Sequence, residues 1–116
     1  MRKVLEDLIF IGAVKEPITM FGHTWVLETL NSDQQLDVMT VTGNYDTLTR
    51  IYAIKTEILA RALKEIDGEP LSDLQEKSEF IKKLQQPVVN KLYEEYEKIQ
   101  AKQNDTLKDM NEVKNS

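Results

Sequence analysis

One stretch, from Asp46 or Thr47 to Asp67, constrains the fold more than any other. Leu48, Ile51, Tyr52, Ile54, Ile58, Leu59, Ala62, Leu63 and Ile66 recur at helical spacing and cover more than half of a helix circumference. Gly68 and Pro70 lie just beyond and mark the expected stop. Glu57, Arg61 and Glu65, four apart in turn, mark the expected wet stripe. A helix this apolar is either a core spine touching several neighbours or a spine with one face kept for a partner.

The elements around it follow from similar signals. Residues from Leu8 to Leu30 read as strand-like, beginning with the apolar run Leu8-Ile9-Phe10-Ile11 before Gly12. Val14 to Phe21, a turn at Gly22-His23, and Thr24 to Leu30 then suggest a hairpin. Alternation turns Trp25, Leu27 and Thr29 toward the core. Ser32 and Gln35 have capping-box spacing and open a short helix over 33–41, with Leu36, Met39 and Val41 expected inward. Ser72 and Gln75 repeat the spacing before a helix over 73–86 that is expected to bury Leu74, Phe80, Ile81 and Leu84. Gln86-Pro87 breaks the chain, and Pro87 fits the first turn of a long last helix. Its seam of Val89, Leu92, Tyr96 and Ile99 turns polar beyond Ile99. The expected architecture is α+β: an N-terminal hairpin or small antiparallel sheet packed on a mainly helical bundle with a long C-terminal helix. Residues 1–100 form one domain, and 101–116 a polar helical tail prone to fray.

Composition narrows the function classes. The 116 residues carry 15 Lys+Arg against 20 Asp+Glu, a net charge of -5, which disfavours sequence-independent nucleic-acid binding. With no Cys there is no disulfide framework, thiolate metal site or cysteine nucleophile. The single His leaves little for an imidazole metal site. No run approaches the roughly 18 apolar residues of a membrane span, and Glu6 and Asp7 interrupt the N-terminus too early for a signal peptide. No membrane association and a cytoplasmic location are expected.

Reaction chemistry is sparse. A Ser/His/acid hydrolase would have to use His23, placed at a turn with no G-x-S-x-G context. Phosphate-binding glycine motifs are absent from the sequence. Glu94, Glu95 and Glu97 alternate with Lys91, Lys98 and Lys102, the pattern of a solvated helix face. Asp67-Gly68-Glu69 lacks the preceding ligands of a calcium loop and reads as a helix C-cap. No catalytic residue, metal site or cofactor is expected. What remains is binding. Tyr93 and Tyr96, with Val89, Leu92 and Ile99, form an apolar and aromatic stripe that either packs on the chain's own core or receives a second chain. The small core of so short a chain also favours self-association.

The order of motifs resembles the bacteriophage tail assembly chaperones. The relevant residues are Phe21-Gly22-His23-Thr24-Trp25-Val26-Leu27-Glu28-Thr29-Leu30, then Ser32-Asp33-Gln34-Gln35, then Ile54 through Gly68, and finally Val88-Val89-Asn90-Lys91-Leu92-Tyr93-Glu94-Glu95-Tyr96. Phage baseplate and tail hub assembly proteins share a similar look. The resemblance implies a non-enzymatic role in the cytoplasm of an infected bacterium. The protein would coat the helical, apolar tape measure protein and keep it soluble until the tail tube protein polymerises around it. Copies of the chain itself are a further expected partner. A structural part in the tail or baseplate is the alternative, and a small hydrolase a remote one. Leu92, Tyr93, Tyr96 and Ile99 are the candidate binding residues from the aromatic stripe. Ile54 and Ile58 are the candidates from the excess apolar width of the central helix.

Overall fold

A computed structural model describes residues 2–115, with side chains described as far as residue 109. The expected α+β architecture is present. The elements are α1 (Arg2–Phe10), β1 (Lys15–Met20), β2 (His23–Glu28), α2 (Ser32–Thr42), α3 (Thr47–Ala62), β3 (Leu63–Ile66), β4 (Glu69–Pro70), α4 (Leu74–Lys83) and α5 (Gln86–Asn115). The four strands form one antiparallel sheet in the order β1-β2-β3-β4.

The hairpin β1–β2 is present, with Met20 paired to His23 across a two-residue turn. That turn is Phe21-Gly22, one residue earlier than expected, with φ of 55° and 79° as a type I′ turn requires. Trp25, Leu27 and Thr29 do face the core. The Trp25 Nε1–H donates to the Met20 carbonyl at 3.0 Å, and the indole packs against Phe80 with centroids 6.2 Å apart. Val14 and Thr29 close the open end of the hairpin reciprocally: Thr29 N–H donates to the Val14 carbonyl, and Val14 N–H donates to Thr29 Oγ1.

Several expectations are corrected. The first apolar run is not strand: α1 extends through Phe10, and its apolar residues follow helical rather than strand spacing. The central helix stops at Ala62, a turn and a half early. Leu63 takes an extended conformation (φ -71°, ψ 119°), and Leu63–Ile66 pair with Leu27, Val26 and Trp25 of β2. Sheet pairing has overridden a helical pattern that has no local flaw at this point. Asp67-Gly68 is therefore no helix cap. With φ of 51° and 85° it is a second type I′ turn, joining β3 to β4, and Asp-Gly is the dipeptide that such a turn favours.

The starts of α2 and α4 are also displaced by one residue, while α3 starts at Thr47 as expected. The capping box of α2 is Asn31 with Gln34, each side chain bonding the other's backbone N–H at 2.9 Å. Asp73 caps α4 by accepting from Gln75 and Glu76 N–H, and Asp46 caps α3 by accepting from Thr49 N–H. In α2 and α4 the residue whose backbone is extended takes the cap, and its amide or carboxylate is an acceptor as good as the serine beside it. α2 is rotated from its expected setting. It buries Val38 and Thr42, and leaves Leu36, Met39 and Val41 exposed.

The core lies between the sheet and α3, α4 and α5. Leu27, Leu59, Leu63, Ile81, Leu92 and Tyr96 are its largest fully buried side chains. Arg61, expected on the wet stripe, is buried where α2 meets α3. Its Nη1 donates to the Glu57 carbonyl and its Nη2 to Asp37 Oδ2. Lys77 is buried too, and its Nζ donates to the Leu63 carbonyl at 3.0 Å. Burial, with Lys64 and Arg61 nearby, pushes the Lys77 ammonium pKa down. Truncating Leu92, which has no exposed surface, is expected to cost about 2–5 kcal/mol in urea unfolding. A loss below about 1 kcal/mol would mean that α5 does not close the core.

Candidate functional site

The six candidate binding residues divide by depth. Ile58, Leu92, Tyr96 and Ile99 belong to the chain's own core. Ile54 and Tyr93 are half-buried against it. Tyr96 Oη accepts the Leu30 N–H at 3.2 Å, tying the end of the hairpin segment to α5, and burial raises its phenol pKa. Tyr93 packs 6.1 Å from Tyr96 between ring centroids, beneath the Lys55 ammonium at 5.6 Å; its phenol pKa is raised by burial and then by Glu97. The structure thus gathers the aromatic stripe into the interior, with Tyr93 at its edge.

Exposed apolar surface lies elsewhere. No residue of α1 is buried, and Val4, Leu5, Leu8, Ile9 and Phe10 all stand largely open to solvent. In helical projection Val4, Leu5, Leu8 and Ile9 form one stripe, bordered by Arg2 and Glu6 on one side and by Asp7 on the other. The second exposed region surrounds the α2–α3 connection: Leu36, Met39 and Val41 on α2, Tyr45 between the helices, and Leu48 and Ile51 on α3.

The exposure on α3 has a geometric cause. Leu48, Ile51, Lys55, Ile58 and Ala62 follow at intervals of three and four, so they share one face. At its C-terminal end that face is core, with Ile58 only 6% exposed. Two turns earlier Ile51 is 55% and Leu48 82% exposed. The face is thus bare at Leu48 and Ile51 and becomes covered from Lys55 onward. Beside it, Arg50 Nε is shut off from solvent without an acceptor among the described residues.

Sequence reasoning missed this surface for two reasons. The apolar run of α1 was read at strand period, although Val4, Leu5, Leu8 and Ile9 fit a helical stripe. The inward setting of α2 followed Leu36 and Met39, whereas packing selected the smaller Val38 and Thr42. The surplus width of α3 was the available signal, since it left open a face kept for a partner.

Polar groups cluster at the far end of the sheet. His23 Nδ1 meets Asp67 Oδ2, joining the two type I′ turns, and Asp67 Oδ1 accepts the Thr24 N–H at 2.8 Å. The Thr24 N–H bond, with His23 second, holds the Asp67 carboxyl below the usual carboxylate range. Next to it lies an open groove of about 520 Å³ with Ile66, Leu71, Phe80 and Lys77 in its lining and Asp67, Glu69, Asp73 and Glu76 around it, four carboxylates to one cation. So many carboxylates disfavour anionic ligands. Among the described residues, no group of three or more His, Asp or Glu is placed to hold a metal ion. Nor is any helix there long and apolar enough to cross a membrane.

No protein-family model, curated protein or solved structure matches this chain.

The Asp67 contacts have a pH signature. A carboxyl with a depressed folded pKa contributes stability above its unfolded value, near 3.8, and loses it as pH falls through the lower folded value. Asp67→Asn is therefore expected to lower the melting temperature at pH 7. The gap from the parent should narrow as pH drops below roughly 4. A gap that stays constant down to the acid limit would show that the carboxylate's charge is not what the turns use.

Proposed function

We propose that this protein is a non-enzymatic assembly factor that shelters an apolar, helical polypeptide, and that its client is a phage tape measure protein. The observation that carries the reading is the uncovered apolar surface on α1 and around the start of α3, on a body whose core is otherwise closed. Each half-exposed aliphatic side chain gains about 1 kcal/mol on being covered. Such a surface is a binding site for another helix with its own apolar stripe.

The resemblance to tail assembly chaperones suggests the client, and the exposed apolar helices support the mode of binding. A long helical client offers repeated apolar stripes, so many copies bind side by side with modest affinity each. The net charge of -5 keeps such a coat soluble. The tail tube protein displaces the coat as it polymerises, in the cytoplasm of the infected host. The binding residues move in this reading from the buried stripe of α5 to Leu5, Leu8 and Ile9 of α1 and Leu48 and Ile51 of α3. Ile54 and Tyr93 lie at the margin of that surface.

Co-expression with a tape measure protein is expected to raise its soluble fraction severalfold. Leu8→Glu with Ile51→Glu should abolish the gain while leaving this chain folded, because both side chains are exposed. Purified virions should lack the protein by mass spectrometry. Its presence there at fixed copy number would favour a structural part in the tail or baseplate instead.

A further inference from the structure

We infer that Pro17 and Pro70 close the two edges of the sheet, one each, so that neither a second copy of this chain nor an extended segment of another polypeptide joins it as a further strand. This closure is a property of the chain alone and is independent of any client.

In an antiparallel hairpin, the backbone N–H and C=O groups of alternate residues bond the partner strand, and those of the residues between point away from it. The two-residue turn makes Met20 and His23 a bonded pair, so Ile18 and Glu16 also face β2. The Thr29 N–H bond to the Val14 carbonyl gives the same parity at the open end of the hairpin. The outward groups of β1 are therefore those of Lys15, Pro17 and Thr19, and all three residues are exposed. β1 is the first strand of the sheet, so these groups form a free edge.

β4 forms the opposite edge. Ile66 and Glu69 flank the Asp67-Gly68 turn as a bonded pair, and Leu71 N–H donates to the Lys64 carbonyl at 2.8 Å. Both neighbours of Pro70 thus bond inward to β3. Pro70 itself, opposite Glu65, faces outward and is exposed. The third proline of the chain, Pro87, lies in the first turn of α5, so both prolines outside a helix stand at sheet edges.

A proline at an outward position has no hydrogen to donate, and its ring fills the space that an incoming carbonyl would take. On β1 it is the middle of three positions. Any antiparallel register that joins two or more of them to those of a second β1 therefore includes Pro17. Centred on the edge, Pro17 of one copy would face Pro17 of the other, leaving two acceptors and no donor. Lys15 adds a charge to the same edge, and β4 is only two residues long. Proline, lysine and shortness each oppose pairing between sheet edges.

Amide hydrogen exchange and sedimentation velocity of the pure full-length chain test the closure. In the parent, Lys15 and Thr19 N–H are expected to exchange about tenfold or more faster than Glu16 and Ile18 N–H, at every protein concentration. Protected Lys15 and Thr19 N–H would mean that the edge is already covered, and overturns the inference. Pro17→Thr restores the missing N–H without adding apolar surface. It is expected to raise the association constant about tenfold or more over the parent's, and to slow exchange at positions 15, 17 and 19 as concentration rises. Pro70→Thr should act in the same direction at the other edge, more weakly because β4 is shorter. Pro17→Ala replaces the threonine variant if circular dichroism shows that the latter does not fold. A folded variant at position 17 that associates no more than the parent overturns the inference. So does one whose added association leaves exchange at Lys15 and Thr19 unchanged, which would place the contact elsewhere.

Discussion

The structure depends on what happens at Leu63. There the chain leaves α3 and enters β3 without a connecting loop, and the same residue is fully buried, caps the helix through its N–H to the Leu59 carbonyl, and pairs with Leu27. Its own carbonyl takes the Lys77 ammonium. Helix, sheet and α4 are therefore joined through a single residue. A loop at this point would let the sheet and the helices move apart. Its absence fixes the direction of α3 relative to β2.

That junction is also where the sequence is least legible. Leu59, Ala62, Leu63 and Ile66 keep helical spacing across a boundary that only the pairing with β2 creates. Local pattern cannot report a partner that is 36 residues distant, as Leu27 is from Leu63. The Asp67-Gly68 turn was misread as a consequence, since the same dipeptide ends helices and turns hairpins. By contrast the β1–β2 hairpin, the core side of Trp25 and Leu27 and the seam of α5 were all readable, while the break before α5 falls at Leu84-Gln85, just ahead of the expected Gln86-Pro87, which open the helix. Each of those depends on neighbours within one or two turns of chain.

The binding surface was legible in kind and not in place. Surplus apolar width was visible, and the aromatic stripe of α5 looked the better candidate because aromatic residues favour interfaces. In the fold that stripe serves the core, where Tyr96 has both an apolar setting and a partner for its hydroxyl. The aliphatic residues of α1 and of the start of α3 are left outside that core. Shape, which no periodicity encodes, decided between two apolar sets.

Gly12 carries a consequence of its own. Its φ of 83° is open to residues without a side chain, and a Cβ there would stand 3.0 Å from the Leu107 side chain. The bearing on which the first nine helical residues leave the body is thus set by an atom that is missing. An exposed hydrophobic helix on a slack tether would sweep a wide volume and meet any greasy surface indiscriminately; one aimed by a tight, side-chain-free corner points in one direction and is selective by orientation before it touches anything.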